Sequence, residues 1–222
     1  ALVAAGCATS ELPEVGPRYH PTNIHAVDSM PRTIRRVALL PIAPARTGAA
    51  LASGAEDFSG ILETELRKAG MFEVVHVSES ELRSWTGRAA WRADEALPET
   101  FFARVKQETG CDGVVFAALT AFRAYPPLAL GLDLRLVAGP DHVVIWAVDE
   151  VIDAGSDAVA RAAHDYSRAQ INSKAGEDTA VLQSPRRFAQ FASATLVATM
   201  PTHKNILKEI PKPTKTTAKE QP

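Results

Sequence analysis

The stretch Gly113–Ala154, GVVFAALTAFRAYPPLALGLDLRLVAGPDHVVIWAVDEVIDA, contains three consecutive segments with the character of β-strands. The first segment is almost entirely apolar, and the second alternates leucines with small or charged residues. The third follows a turn signal at Gly139-Pro140-Asp141. A period of two is typical of strands, and short turns between such segments favour antiparallel pairing. The stretch therefore predicts a three-stranded meander.

Strand and helix patterns alternate on the N-terminal side of this stretch. IRRVALLPIAP predicts a buried strand that ends at prolines, and FEVVHV predicts an alternating strand. Between them, DFSGILETELRKAG has apolar residues at helical spacing and a stop signal at Gly70. Ser78 or Ser80 caps one further helical segment and Pro98 begins another. SDAVARAAHDYSRAQ and PRRFAQFASATLVATM predict two C-terminal helices.

The predicted order of elements is β-α-β-α-β-β-β-α-α. This order indicates an α/β (α+β) fold, in which helices pack on a mixed sheet of about five strands. We expect a single domain over 34–201. Prolines interrupt the preceding segment, which we interpret as a tether over 7–33, and the Lys-, Thr- and Pro-rich segment 202–222 predicts a disordered tail.

The composition is that of an ordinary globular protein, with 46% hydrophobic and 23% charged residues among 222. The net charge of -2 gives no basic excess, so we expect no nucleic-acid partner. No apolar run reaches the ~18 residues that a membrane-spanning helix needs. The two cysteines, Cys7 and Cys111, lie far apart and have no zinc-ligand spacing. We therefore expect neither a metal site nor a cofactor.

Catalytic motifs are not evident in the sequence. It contains no Gly-x-Ser-x-Gly, Walker A or Gly-x-Gly-x-x-Gly signature, and so we predict no catalytic residues and no enzyme activity. One alternative stays open: Asp149 and Asp153 share a strand face, and with His164 they could serve an envelope hydrolase or a ligand-binding protein. Asp153 could equally cap the turn at Gly155. Cys111 and Trp146 are expected to be buried.

The turn Tyr125-Pro126-Pro127 connects the first two strands of the meander. Proline lacks a backbone N–H and cannot donate to a sheet, so this turn is predicted to be rigid and to project from the sheet with its aromatic residue. Two interpretations are equally supported by the residues. The turn is either a tip that binds a partner or a plain strand connection.

Several motifs occur in an order that resembles a known family. VALLPI, ILETELRKAGMFEVV, ETGCDGVVFAALTAF, LGLDLRLV and VIWAVDEVIDA together resemble the CsgG/LpoB/TolB-N-like domains of bacterial envelope lipoproteins. The resemblance covers about 34–153, and Ala138-Gly139-Pro140-Asp141 departs from the family's usual Asp-x-x-Thr-Gly turn. It implies a non-enzymatic domain that works through protein contacts in an envelope assembly, such as secretion, flagellar or cell-wall machinery.

In this context Ala4-Ala5-Gly6-Cys7 is similar to a lipobox, although Ala4 occupies the place where leucine is commonest. We predict that Cys7 is lipidated and that 1–6 is the remnant of a signal sequence. Ala8 follows rather than aspartate, which favours the outer membrane. The expected partners are the membrane, through the lipid anchor, and an envelope protein or a second copy of the chain. The expected location is the periplasmic face of the outer membrane.

Overall fold

The computed structural model describes residues 19–138, 142–170 and 178–203. Its strands are β1 (Ile24–Ala26), β2 (Arg36–Leu39), β3 (Ala43–Pro44), β4 (Glu73–His76), β5 (Gly113–Arg123), β6 (Ala129–Ala138) and β7 (Val143–Asp153). Its α-helices are α1 (Ala49–Ala69), α2 (Glu79–Thr86), α3 (Phe101–Thr109), α4 (Asp157–Gln170) and α5 (Pro185–Val197), and a 3-10 helix spans Asp178–Leu182. No helix among these described residues is long and apolar enough to cross a membrane.

The strands form one mixed sheet in the order β1-β7-β6-β5-β2-β4, and β3 pairs with β5 beside this path. The pairs β5–β6 and β6–β7 are antiparallel, whereas β2 is parallel to β4 and β5. The predicted meander and the predicted mixed sheet with packed helices are therefore confirmed. The sheet has seven strands rather than about five, because β1 and β3 are too short to show a period of two. Two helices, α2 and α3, lie between β4 and β5, where the predicted order counted one.

The structured body begins before the predicted boundary at Ile34. Within the segment interpreted as a tether, β1 pairs with β7, and the Glu150 carboxylate accepts hydrogen bonds from the backbone N–H groups of Thr22 (2.9 Å) and Asn23 (3.2 Å). Tyr19 packs against the core, where burial and then the charge of Glu150 raise its pKa to about 12. Residues 1–18, with the predicted signal remnant and Cys7, lie outside the described residues.

The C-terminal boundary also shifts slightly. Thr202 and His203, which were assigned to the tail, contact the body: the carbonyl of Thr202 accepts from the N–H of Met30 (3.0 Å), and the His203 ring lies 3.1 Å from the carbonyl oxygens of Met30 and Met71. The rest of the predicted tail, 204–222, lies outside the described residues, as does the turn predicted at 139–141.

Helices α1, α4 and α5 cover one face of the sheet. Their apolar residues join those of β5, β6 and β7 in the larger of two hydrophobic clusters. Trp146 is completely buried there, as predicted, and its indole N–H donates to the hydroxyl of Thr199 at 2.9 Å. A side chain at Gly54 of α1 would lie 2.9 Å from Leu119 Cδ2, so this glycine permits the close packing of α1 on β5.

Helices α2 and α3 cover the opposite face, but only over part of its width. Leu82, Phe101 and Val105 pack there on residues of β2, on the first part of β5 and on Val137 of β6. Helix α2 begins with the predicted cap at Ser78, which forms a capping box with Glu81. The rest of this face, on β6 and β7, remains open and carries charged side chains.

Candidate interaction surfaces

The turn between β5 and β6 projects at one end of the sheet. We call Tyr125–Pro127 the tip. Tyr125 is the most exposed large apolar side chain among the described residues, with 74% of its surface accessible. The peptide bond between Pro126 and Pro127 is cis. The tip therefore presents an aromatic ring and a proline to solvent, as the sequence predicted for a projecting turn.

A charged clamp holds the base of the tip. The Arg123 guanidinium donates through Nε to the carbonyl oxygen of Pro127 and through Nη2 to Asp153 Oδ1 at 2.6 Å. The same carboxylate oxygen accepts from the backbone N–H of Gly155 at 2.8 Å. These bonds connect the turn to the end of β7, so the tip is pre-ordered before any partner binds. The role of Asp153 is thus structural.

A cleft of about 640 Å³ lies at the opposite end of the same strands. We call it the basal cleft. It lies between α3, the start of β5, the end of β6, the start of β7 and the segment 31–34. Its lining includes Phe102, Lys106, Cys111, Asp112, His142 and Val143. Pockets of this volume with mainly apolar walls are typical of binding sites.

The walls of the basal cleft are apolar, and most of its polar groups have partners or are held neutral. The Phe102 ring stacks on His142 with 4.0 Å between ring centroids. The Asp112 carboxylate accepts from the backbone N–H groups of Arg35 (3.1 Å) and Arg36 (3.3 Å). Burial raises the pKa of the Cys111 thiol, which keeps it protonated and unreactive. The cleft is therefore suited to apolar side chains rather than to chemistry.

The residues of the alternative enzymatic interpretation do not converge. Asp149 and Asp153 project from the open face of β7, because Val148 and Ile152, which alternate with them, are buried on the other face. His164 lies on α4, which packs through Ala163 on that other face. The sheet itself thus separates the two carboxylates from the imidazole. Among the described residues no group of three or more His, Cys, Asp or Glu side chains could hold a metal ion.

The open face carries an ionic network that the sequence analysis missed. Asp133 and Arg135 of β6 form two hydrogen bonds, of 3.0 and 2.9 Å, and Arg92 pairs with Asp94 in the loop before α3. Arg92 also donates to the carbonyl of Ala45 at 2.8 Å. Burial, and then the charge of Asp133, raise the pKa of Asp149. The one indication in the sequence of a charged strand face was the alternation of Asp133 and Arg135 with leucines.

The basal cleft was not predicted either. Its walls come from five separate parts of the chain, and each part by itself is typical of an ordinary helix, strand end or connecting segment. The tip, in contrast, is one continuous segment of the sequence, and its two prolines predicted a projecting turn. Cys7, the predicted lipidation site, lies outside the described residues.

Comparison with known proteins gives no family. No family model and no curated protein matches the chain. Solved structures with partial similarity include the PelC dodecamer from Paraburkholderia phytofirmans (TM-score 0.42, 12% identity, 78% of this chain and 94% of that chain). Others are lipoprotein GNA1162 from Neisseria meningitidis (0.40, 14%, 63% and 98%) and the LpoB C-terminal domain from Salmonella enterica (0.38, 16%, 53% and 82%).

TM-scores below 0.5 at these identities do not support a transfer of function.

Proposed function

We propose that this protein is a non-enzymatic lipoprotein, anchored through Cys7 at the periplasmic face of the outer membrane, and that its domain is an interaction component of a cell-envelope assembly. The observation that carries the proposal is the sequence Ala4-Ala5-Gly6-Cys7, followed by a proline-rich segment that leads to a folded body. Among the described residues of that body, the sheet separates Asp149 and Asp153 from His164. More than one acyl chain on the cysteine would give stable anchoring, since each buried CH₂ contributes about 0.8 kcal/mol.

The length of the tether is compatible with contact between the domain and other envelope proteins. The body is held in place from Tyr19 onward, where the side chain packs against the core. Twelve peptide units separate Cys7 from Tyr19, and an extended chain spans about 3.3–3.6 Å per residue, so the tether reaches at most about 40 Å. The domain would thus stay within about 40 Å of the anchored cysteine.

We assign partner binding to the tip. Tyrosine offers a large contact area with few rotatable bonds, and a turn that is already held by Arg123 and Asp153 loses little entropy on binding. Tyr125 and Pro126 are not needed for the core, because the contacts that fix the turn are made by Pro127 and its neighbours. This combination of exposure and rigidity favours the binding interpretation over a plain strand connection.

Membrane fractionation tests the anchor. We expect a Cys7→Ser variant, expressed behind a lipoprotein leader in a diderm bacterium, to move from the membrane pellet to the soluble periplasmic fraction and to lose incorporation of labelled palmitate. The matched control is Cys111→Ala, which removes the other cysteine from a buried position and should stay in the membrane. A Cys7→Ser variant that pellets like the unmodified protein would refute the anchor.

A further inference from the structure

We infer that the tip of one copy inserts into the basal cleft of a second copy, so that the chain associates head to tail. The inference rests on the proposed function, because it identifies the partner of the tip. The tip supplies an exposed, rigid pair of apolar residues, Tyr125 and Pro126. The basal cleft supplies a concave apolar surface, on which Val143 is itself 50% exposed. Each surface therefore exposes apolar area to water, and contact between the two would bury it.

The two surfaces cannot meet within one molecule. The tip follows the last residue of β5, Arg123, whereas the cleft includes the first, Gly113. An 11-residue strand with a rise of about 3.3 Å per residue is about 33 Å long. Every copy therefore carries one tip and one cleft at opposite ends of the same strand. Contact between unlike surfaces is heterologous and propagates from copy to copy, either closing into a ring or extending as a filament.

The charges at the two ends are complementary. The end with the tip carries the exposed Asp157 in addition to Asp153, which Arg123 neutralises. The end with the cleft carries Lys106 on its wall and two exposed arginines, Arg32 and Arg35, on the segment that borders it. Arg123 and Asp153 offset each other at the tip and leave the nearby Asp157, whereas Asp112 offsets only one of the three cations named at the cleft end. Head-to-tail approach is thus favoured, whereas contact between two like ends is opposed.

The contact is expected to be weak in solution. A tyrosine buries roughly 150–250 Å², and an interface built around one such residue falls below the ~1,200 Å² typical of stable complexes. A lipid anchor confines copies to one surface and raises their effective concentration, which compensates for low affinity. We expect association of the unanchored chain on the order of 10–100 µM, with a loss of affinity as the salt concentration rises.

Sedimentation velocity of the full chain with Cys7→Ser, which cannot be acylated, tests the contact. We expect species larger than the monomer at ~100 µM that dissociate on dilution. Tyr125→Ala and Val143→Asp should each weaken association at least about tenfold, since each removes one side of the same contact. The matched control is Ile24→Asp, a charge at an exposed apolar residue outside both surfaces, which should associate like the parent.

Disulfide crosslinking distinguishes head-to-tail contact from other dimers. In the Cys7→Ser chain, Ala124→Cys and Thr33→Cys together should form a ladder of covalent multimers on mild oxidation, because one introduced thiol lies beside the tip and the other on the cleft wall, while Tyr125 and Val143 are kept. Either substitution alone supplies one exposed thiol and should give no product beyond a dimer. A monomer at all concentrations, association that survives both Tyr125→Ala and Val143→Asp, or the lack of a ladder would overturn the inference.

One competing occupant of the cleft lies in the same chain. If residues 204–222 filled the cleft instead, the full chain would stay monomeric, and truncation after His203 would be required for association; that result also overturns the inference. None of these outcomes bears on membrane anchoring, which is measured separately by fractionation. A failure of head-to-tail contact would therefore leave the proposed lipoprotein function standing.

Discussion

Replacing Gly54 and Gly60 of α1 with alanine should change stability in opposite directions, although both residues lie in the same helix. Alanine is favoured over glycine in a helix interior by about 1 kcal/mol, and this gain applies at both positions. At Gly60 the new methyl group would meet nothing within 4 Å. We therefore expect Gly60→Ala to stabilise the protein by about 1 kcal/mol.

At Gly54 the same methyl group would lie 2.9 Å from Leu119 Cδ2 and 3.1 Å from Phe122 Cδ1. Neither group can retreat easily, because Leu119 is completely buried and the Phe122 ring packs edge-on against Phe58 at 5.1 Å. Overpacking of this kind costs about 1–3 kcal/mol. After the helical gain is subtracted, we expect Gly54→Ala to destabilise the protein by up to about 2 kcal/mol.

Urea unfolding followed by far-UV circular dichroism measures both effects, with the parent chain as the reference. The midpoints should move in opposite directions while the slopes stay equal, because the surface exposed on unfolding hardly changes. Equal midpoints for Gly54→Ala and Gly60→Ala would refute the close approach of α1 and β5. A stabilised Gly54→Ala variant would show that this part of the core has space.

Three further predictions concern single polar groups. Thr199→Val removes the acceptor of the buried Trp146 N–H and should cost about 1–3 kcal/mol in urea unfolding; a smaller loss would contradict that bond. Ser78→Ala removes the α2 cap and should lower the free energy of unfolding by about 1 kcal/mol. An unchanged melting temperature would contradict this. Because the pKa of Asp149 is raised in the folded protein, the fold favours the protonated carboxyl. Its contribution to the free energy of unfolding is therefore complete below the unfolded pKa of about 3.9, and it is lost as the pH rises through the folded pKa. Asp149→Asn should thus be more stable than the parent at pH 7 but not at pH 3. If variant and parent differ in free energy of unfolding by the same amount at both pH values, this linkage is excluded.

The local elements were predictable because their signals lie in neighbouring residues. Helix α1 follows from apolar residues three and four positions apart, and it ends at Gly70, whose φ of 65° suits glycine. The capping box at Ser78 is likewise complete within four residues. The meander follows from alternation and turn signals over one continuous stretch. In each case the physical cause acts over a few residues, so the sequence displays it directly.

Other features depend on where distant segments meet. Strand β1 is three residues long and exists because β7 offers an edge and Glu150 offers a carboxylate. The sequence left two interpretations of Asp153, half of an acidic pair or a cap of the turn at Gly155. The fold confirms the cap through the bond from the Gly155 N–H and adds Arg123 beside the carboxylate, which the sequence did not indicate. The expected relation of Asp153 to His164 failed because the two side chains lie on opposite sides of the sheet.

The sequence by itself determined the order and type of the main elements, the exposed turn at Tyr125 and the lipobox-like segment at Cys7. Only the tertiary structure decided the position of that turn relative to the rest of the molecule. The basal cleft exists because α3, three strand ends and the segment 31–34 converge, and no one of these segments encodes it. Periodicity reports which face of an element is buried, but the space left between elements depends on how all of them pack together.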